Sequence, residues 1–245
     1  MPSDDGLAGV RAILLAGGRG TRLAPYTTVL PKPLMPVGDM PILEILLRQL
    51  RRAGVRNVTL SVGYLASLLE AYFGNGERFG LAIEYSLEEK PLGTAGPLAL
   101  LDGIDDTFLV MNGDLLTTLD VRDIVREHRG RGAIATLGLF PKEVEIDLGV
   151  IETDSDGRIV DYIEKPTLSY EVSVGMYAMQ PEVLKYVPRG EHLDLPDLIR
   201  RLTAEGRLVV GHRFTGYWLD IGRHEDYAAA VELLERERAT FLPAD

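Results

Sequence analysis

Between Leu14 and Leu23 the chain reads LLAGGRGTRL, three glycines, two arginines and a threonine directly behind an apolar run. Glycines tolerate positive φ and let backbone N–H groups converge on an anion, and arginines add charge, so the chemistry open to this stretch is phosphate binding. Three ligands come into question: a dinucleotide cofactor, the nucleotide of an ATPase, and the triphosphate of a nucleotide that is to be cut. Spacing argues against the first two. A dinucleotide fingerprint needs G-x-G-x-x-G, and after Gly18 and Gly20 the third position is Leu23. A Walker A loop needs Gly-Lys-Ser/Thr, and no lysine follows these glycines. Taken alone, the loop could equally be a tight turn. Shortly afterwards PKPL, Pro31–Leu34, sets Lys32 between two prolines, which reads as a stiff extended segment aiming an ammonium at a phosphate.

Two carboxylates could hold a hard cation. FLVMNGD ends an apolar run at Asp114, and YWLDIG places Asp220 among apolar and aromatic residues, an unusual setting for a merely solubilising charge. The bland alternative is a pair of turn-capping aspartates.

The elements that must position these groups follow from the apolar pattern. RAILLAG, NVTLSVGY, IEYSLE and TFLVMNGD read as buried strands; MPILEILLRQLRRAG (helical over Met40–Ala53), LASLLEAYFGNG and GTAGPLALLDGI read as intervening helices. That alternation predicts a doubly wound parallel sheet. The second half is richer in strands (GAIATLGLF, GVIETD, RIVDYIEKP, VSVGMYAM, LVVGHRF), with a hairpin turn at DSDG, 154–157, and helices over 181–187, 195–205 and 224–238. Residues 1–9 read as a frayed tail. One domain over 1–245 is expected, with halves at 10–120 and 121–223 and a C-terminal helix and tail at 224–245.

Composition bounds the class. At 46% hydrophobic residues the 245-residue chain is globular, and the absence of cysteine removes disulfides, thiolate metal sites and cysteine nucleophiles together. No apolar run near membrane length and no charged-then-apolar leader occurs, so a cytoplasmic enzyme without membrane or signal segment is expected. A net charge of −11 opposes general binding to nucleic acid or anionic membranes, yet permits an anionic substrate if cations concentrate in one cleft.

LAGGRGTRLAPYTTVLPKPLMPVGDMPIL resembles the signature of the sugar-1-phosphate nucleotidylyltransferases. Later blocks keep that family's order: EEKPLGTAGPL (88–98), NGD (112–114), LGVIE (148–152), EKP (164–166), VGMY (174–177) and YWLDIG (217–222). The resemblance covers nearly the whole chain and is nearest in flavour to a short mannose-1-phosphate guanylyltransferase type. Members of that type often carry a C-terminal left-handed β-helix, for which this chain ends too soon. It implies a Rossmann-like α/β nucleotide-diphospho-sugar transferase fold, a mixed and mostly parallel sheet flanked by helices, with an added β subregion for the sugar.

The same resemblance assigns roles. A sugar-1-phosphate would attack the α-phosphorus of an NTP and release pyrophosphate, with Mg²⁺ held by Asp114 and Asp220. Arg19 would face the triphosphate, and Lys32 the α-phosphate and leaving group. Leu15, Ala16, Gly17, Gly18, Gly20, Thr21 and Arg22 would form the nucleotide cradle with Asn112 and Gly113, while Glu88, Gly93 and Thr94 would line base and ribose. Lys165 would take the sugar's phosphate and Glu164 its hydroxyls, Gly149 and Gly175 would let the backbone approach the sugar, and Tyr177 would complete the sugar-phosphate site. Two departures touch the sugar side: Leu148 stands where the family usually has an aromatic, and Ser173 replaces the asparagine of N-x-G.

A carboxylate only accepts hydrogen bonds, and guanine offers two adjacent donors, so Glu88 favours GTP over UTP or dTTP. Mannose-1-phosphate or a similar hexose or heptose phosphate is the favoured acceptor. The open alternatives are uridylyl, thymidylyl or cytidylyl transfer to another sugar phosphate, such as glucose-1-phosphate or N-acetylmuramate-1-phosphate. Further off stand a glycosyltransferase, which the lack of Asp-x-Asp at 112–114 opposes, and a non-catalytic nucleotide-sugar sensor. His128, read as lying on a helix surface, His192, His212 and His224 match no metal spacing and are expected to be structural or solvated. Homo-oligomers are possible, the last helix packing either on a partner or on its own domain.

Overall fold

The computed structural model describes residues 7–242. In chain order its strands are β1 (Arg11–Leu15), β2 (Pro36–Val37), β3 (Met40–Pro41), β4 (Asn57–Val62), β5 (Ala82–Leu87), β6 (Phe108–Asn112), β7 (Leu115–Thr117), β8 (Ala135–Glu145), β9 (Val150–Thr153), β10 (Ile159–Ile163), β11 (Thr167–Met179), β12 (Val209–Arg213) and β13 (Trp218–Asp220). The helices are α1 (Ile42–Arg52), α2 (Ala66–Phe73), α3 (Val121–Arg131), α4 (Leu195–Ala204) and α5 (His224–Phe241).

Seven strands form the central sheet in the order β12-β8-β11-β6-β1-β4-β5. β1, β4, β5 and β6 run parallel, and β12 runs parallel to β8, while β11 is antiparallel to both β6 and β8. The sheet is therefore mixed and mostly parallel. Ala12, Ile13, Leu14, Leu60, Leu109 and Val110 have no exposed surface, as both faces of a helix-covered sheet require. The chain runs from β1 outward to β4 and β5, then returns to place β6 on the other side of β1. That reversal opens a crevice at the carboxyl ends of β1 and β6, where open α/β sheets take ligands.

α1 shows why the local sequence folds as it does. Ile42, Leu43, Ile45, Leu46, Leu47 and Leu50 are all buried, and the helix begins only after the extended Pro41. Met40 and Pro41, expected as helical, instead pair with β2. α5 uses Ala230, Leu233, Leu234 and Phe241 to pack with Ile42 and Ile45, so its apolar side covers its own domain. GTAGPLALLDGI makes only a 3-10 turn, Gly96–Leu100, and 181–187 likewise yields 3-10 structure at Pro181–Tyr186. The frayed tail expected over 1–9 lies largely outside the described residues; within them Leu7 is buried and its carbonyl accepts from the Val10 N–H. Residues 243–245 of the expected C-terminal tail are also outside. No helix among the described residues is long and apolar enough to cross a membrane.

His128 is a correction. It sits on α3 but has no exposed surface. The Gln180 amide lies 3.0 Å from Nε2 and the Thr136 hydroxyl 2.9 Å from Nδ1, so Nε2 accepts and Nδ1–H donates in a neutral ring. Burial first, and the Arg129 charge second, hold its pKa at about 4 against an ordinary 6.5. The unfolded chain therefore takes up the proton first as pH falls. The stability that the neutral ring contributes is complete above pH 6.5 and drains away towards pH 4. The loss should be on the order of 2–3 kcal/mol. Urea unfolding across that window should show this decline, and His128→Gln should flatten it.

Candidate active site

The glycine loop leaves the carboxyl end of β1 and is tied down at once. Ala16 N–H donates to the Ser61 carbonyl at 2.8 Å, and the Tyr64 N–H to the Gly17 carbonyl at 3.3 Å. Gly20 turns the chain with φ 60°, and the Thr27 hydroxyl donates to its carbonyl at 2.8 Å. A Cβ at Gly20 would lie 3.0 Å from the Thr27 methyl and 3.3 Å from the Lys32 Cβ. This residue thus needs glycine for both its conformation and its packing. Loop and lysine turn are one packed unit.

That turn is not the extended segment its prolines suggest. Pro31 is extended, but Lys32–Leu34 closes a 3-10 turn, with the Leu34 and Met35 N–H groups donating to the carbonyls of Pro31 and Lys32. The turn rests against α1, and the Ile42 N–H donates to the Met35 carbonyl at 3.0 Å.

Asp114 and Asp220 come from opposite ends of the sequence and meet through one strand pair. β13 runs antiparallel to β7 with Asp220 opposite Leu115, and the Ile221 N–H donates to the Asp114 carbonyl at 3.2 Å. The Lys32 ammonium lies between the two carboxylates. It contacts Asp114 Oδ2 directly and stands 3.4 Å from Asp220 Oδ1. The other Asp114 oxygen, Oδ1, is buried and has no hydrogen-bond partner among the described residues. Burial pushes the Asp114 carboxyl above its ordinary range, with Asp220 adding to the rise and Lys32 opposing it.

An unsatisfied carboxylate oxygen beside a second carboxylate is a donor set suited to a hard divalent cation. Among the described residues no group of three or more His, Asp or Glu side chains is placed for a metal. Asp114 and Asp220 would thus be the protein's two ligands, and phosphate and water oxygens would complete the shell.

Around these groups lies a cleft of about 680 Å³. All of the expected nucleotide-side residues line it except Gly113, whose N–H donates to the Leu15 carbonyl at 2.9 Å just behind. Arg19 is exposed, with its guanidinium 5.7 Å from the Tyr64 ring centre. The Arg22 guanidinium lies over Gly222, 3.4 Å from where a Cβ would be. Glu88 is half-buried: Oε2 accepts from the Leu92 N–H at 3.1 Å and Oε1 from the Ser61 hydroxyl at 3.3 Å. Burial raises its pKa. Thr94 spends its hydroxyl on Asp194 and on the Leu195 N–H at the start of α4.

The sugar-side residues do not line this cleft. Gly175 comes nearest; with φ 72° it backs onto Asn112, whose amide would be 2.5 Å from an added Cβ. Tyr177 is buried in the core, its hydroxyl 3.2 Å from that of Ser173. Gly149 faces the Tyr162 ring, and Tyr162 donates to Glu164 at 3.2 Å. Lys165 pairs with Asp147 at 2.5 Å. All three belong to the exposed β9–β10 arm, in which Leu148 is 74% exposed.

Sequence reasoning missed Tyr64, Lys90 and His192, which also line the cleft. Tyr64 follows the carboxyl end of β4, the same signal that marked Asp114. His192, expected to be structural or solvated, faces the nucleotide-side cleft; His212 pairs with Glu127 and His224 with the Ala24 carbonyl.

A family model described as nucleotidyl transferase matches residues 11–237. A UTP–glucose-1-phosphate uridylyltransferase from Synechocystis is 39% identical, covering 93% of this chain and 64% of its own length. A mannose-1-phosphate guanylyltransferase from Mycobacterium tuberculosis is 36% identical, covering 89% and 62%. The chain thus spans a little under two thirds of these relatives. Among solved structures, a candidate glucose-1-phosphate thymidylyltransferase from Bacillus anthracis superposes with a TM-score of 0.74 at 26% identity, covering 91% of this chain and 94% of that one. HddC from Yersinia pseudotuberculosis, at 24% identity and a TM-score of 0.70, shares the fold.

Removing Lys32 leaves a buried carboxylate uncompensated. Lys32→Ala should cost on the order of 3 kcal/mol, and adding Asp114→Asn should recover most of it. Urea unfolding of both single variants and the double variant measures this; simple additivity would show that the pair is not coupled.

Proposed function

Because this chain belongs to the nucleotidyl transferase family, we propose that it transfers the nucleotidyl group of an NTP to a sugar-1-phosphate, giving a nucleotide-sugar and pyrophosphate. The observation that carries this reading is the meeting of Arg19, Arg22 and Lys32 with Asp114 and Asp220 in one cleft at the switch point of the sheet.

The reaction makes one bond and breaks one. An anionic oxygen of the sugar phosphate attacks the α-phosphorus, and the bond from that phosphorus to the bridging oxygen of pyrophosphate breaks in line. Neither reactant needs to lose a proton, so the protein's work is to hold two anions together and spread the charge of the transition state. Arg19, braced by Tyr64, and Arg22 grip the β- and γ-phosphates with planar forks and keep the charge of the departing pyrophosphate neutralised. Lys32, fixed by its 3-10 turn, supplies the point charge at an α-phosphate oxygen. Asp114 and Asp220 would hold a divalent cation, Mg²⁺ by its preference for hard oxygen, which supplies electrophilic neutralisation of the phosphates. The backbone N–H groups of the loop from Gly17 to Thr21 add fixed dipoles.

Glu88 lines the cleft beside Gly17 and can accept from a base bearing two adjacent donors, which supports guanine and hence GTP, with mannose-1-phosphate or a similar hexose phosphate as acceptor. A second reading, uridylyl transfer to glucose-1-phosphate, is favoured by the 39% identical relative of that name. On the β9–β10 arm, Lys165 is the group proposed to meet the sugar's phosphate and Glu164 the group proposed to accept from its hydroxyls.

Pyrophosphate release should require an NTP, a sugar-1-phosphate and a divalent metal together, and a chelator should abolish it. Release from no combination of five NTPs with mannose-, glucose- and N-acetylmuramate-1-phosphates would refute the proposal. Arg19→Ala and Lys32→Ala should each lower kcat by roughly 10²–10³. Glu88→Gln should lower kcat/KM for GTP by about 10² while leaving UTP little changed; the opposite pattern would favour the uridylyl reading.

A further inference from the structure

A second cavity of about 770 Å³ opens between the carboxyl end of α1, the turn at Glu77–Phe79 and the end of α5. It shares no lining residue with the catalytic cleft. Arg48, Arg51, Arg52, Arg56, Arg78 and Arg238 line it, and no carboxylate among the described residues does. In a chain with 37 acidic and 26 basic side chains, six guanidinium groups around one acid-free cavity run against the composition.

Part of this cluster has an ordinary explanation. Arg51 and Arg52 close the last turn of α1, where cations meet the negative end of the helix dipole. Arg48 pairs with Glu44 at 2.6 Å and Arg238 with Asp39 at 2.8 Å, both from outside the cavity. Arg56 and Arg78 are not explained that way, and among the described residues neither they nor Arg51 meet a carboxylate. Arg56 donates to the carbonyls of Val55 and Arg51 at 3.0 and 3.4 Å. Arg78 lies over the rings of Tyr72 and Phe79, 4.4 and 4.5 Å from their centres. Arg51 is pressed against Gly80, where a Cβ would come within 2.7 Å of its Nε.

These contacts fix the planes of the forks without neutralising them. Like charges held together around one concave site repel, and an anion in their midst relieves that repulsion. Planar forks held ready match phosphate oxygens two at a time, and their ordering entropy is already spent. The volume exceeds what one phosphate would fill. A long polyanion would have to pass the acidic remainder of the surface. We propose that this cavity binds a small polyanion carrying two or more phosphate groups, independently of the catalytic cleft.

Calorimetric titration of the full chain with inorganic tripolyphosphate, in chelator and near-physiological salt, tests it. Two classes of site are expected: one lost in Arg19→Ala, the other lost in Arg51→Gln/Arg78→Gln. Affinity at the second should fall by roughly tenfold or more in the glutamine variant, and less in Arg51→Lys/Arg78→Lys, which keeps the charge but not the fork. Near-UV circular dichroism checks that the variants fold, and the lysine pair gives the same reading should the glutamine pair misfold. Tripolyphosphate binding that neither pair alters would overturn the proposal. So would tighter binding of single-stranded DNA than of tripolyphosphate, lost in the glutamine pair, because it would assign the cavity to nucleic acid.

Discussion

The contact on which the rest of this structure turns is a lysine ammonium lodged between two carboxylates. Lys32, Asp114 and Asp220 come from three distant parts of the chain, and each arrives by a different backbone device: a 3-10 turn after Pro31, the end of β6, and the short β13 paired on β7. A buried ion pair is poor value as stabilisation, since desolvating both charges offsets much of their attraction. Its worth lies elsewhere. The arrangement keeps a cation where two acids face a cleft and leaves one acid oxygen, Asp114 Oδ1, without a partner among the described residues. A site that was satisfied in full would have nothing left to offer a ligand.

That placement depends on the order of the sheet. Leu15 at the end of β1 lies beside Ser61 of β4 on one side and Asn112 of β6 on the other. The chain leaves β1 at the point where the strand order reverses, so the glycine loop spreads across the gap instead of closing into a helix at once. α1 then packs six buried aliphatic side chains beneath it and fixes the Lys32 turn from below. Rigid packing of this kind is what allows few charged groups to be aimed accurately.

How much of this could be read from residues alone differs from element to element. The buried strands were plain because a parallel sheet covered on both faces demands continuous apolar runs, and RAILL and FLVMN supply them. Asp114 was legible as an acid at the end of such a run, and Asp220 as an acid set among apolar and aromatic residues. The conformation at Lys32 was not. The proline that follows it disfavours helical backbone, but the carbonyls of Pro31 and Lys32 gain partners by closing the turn, and that preference won. His128, read as lying on a helix surface, is buried on α3 although that helix is heavily charged. Its spacing told the truth: Val121, Ile124, Val125 and His128 form the buried stripe. The β9–β10 arm carried too little inward-facing pattern to say where Glu164 and Lys165 would stand, and they stand apart from the cleft.

In an acidic protein the positive groups of a cleft act at short range. Charges on the outer surface are screened over about 8 Å in physiological salt, so a net charge of −11 sets the solubility of the molecule more than the potential inside a cleft. Lys32 is nearly buried, its side chain 12% exposed, and is screened far less. Arg19 and Arg22 stand exposed at the mouth. The geometry thus grades its cations from exposed at the rim to nearly buried at the floor. On the proposed function, that gradient would put the strongest field at the phosphate nearest the floor.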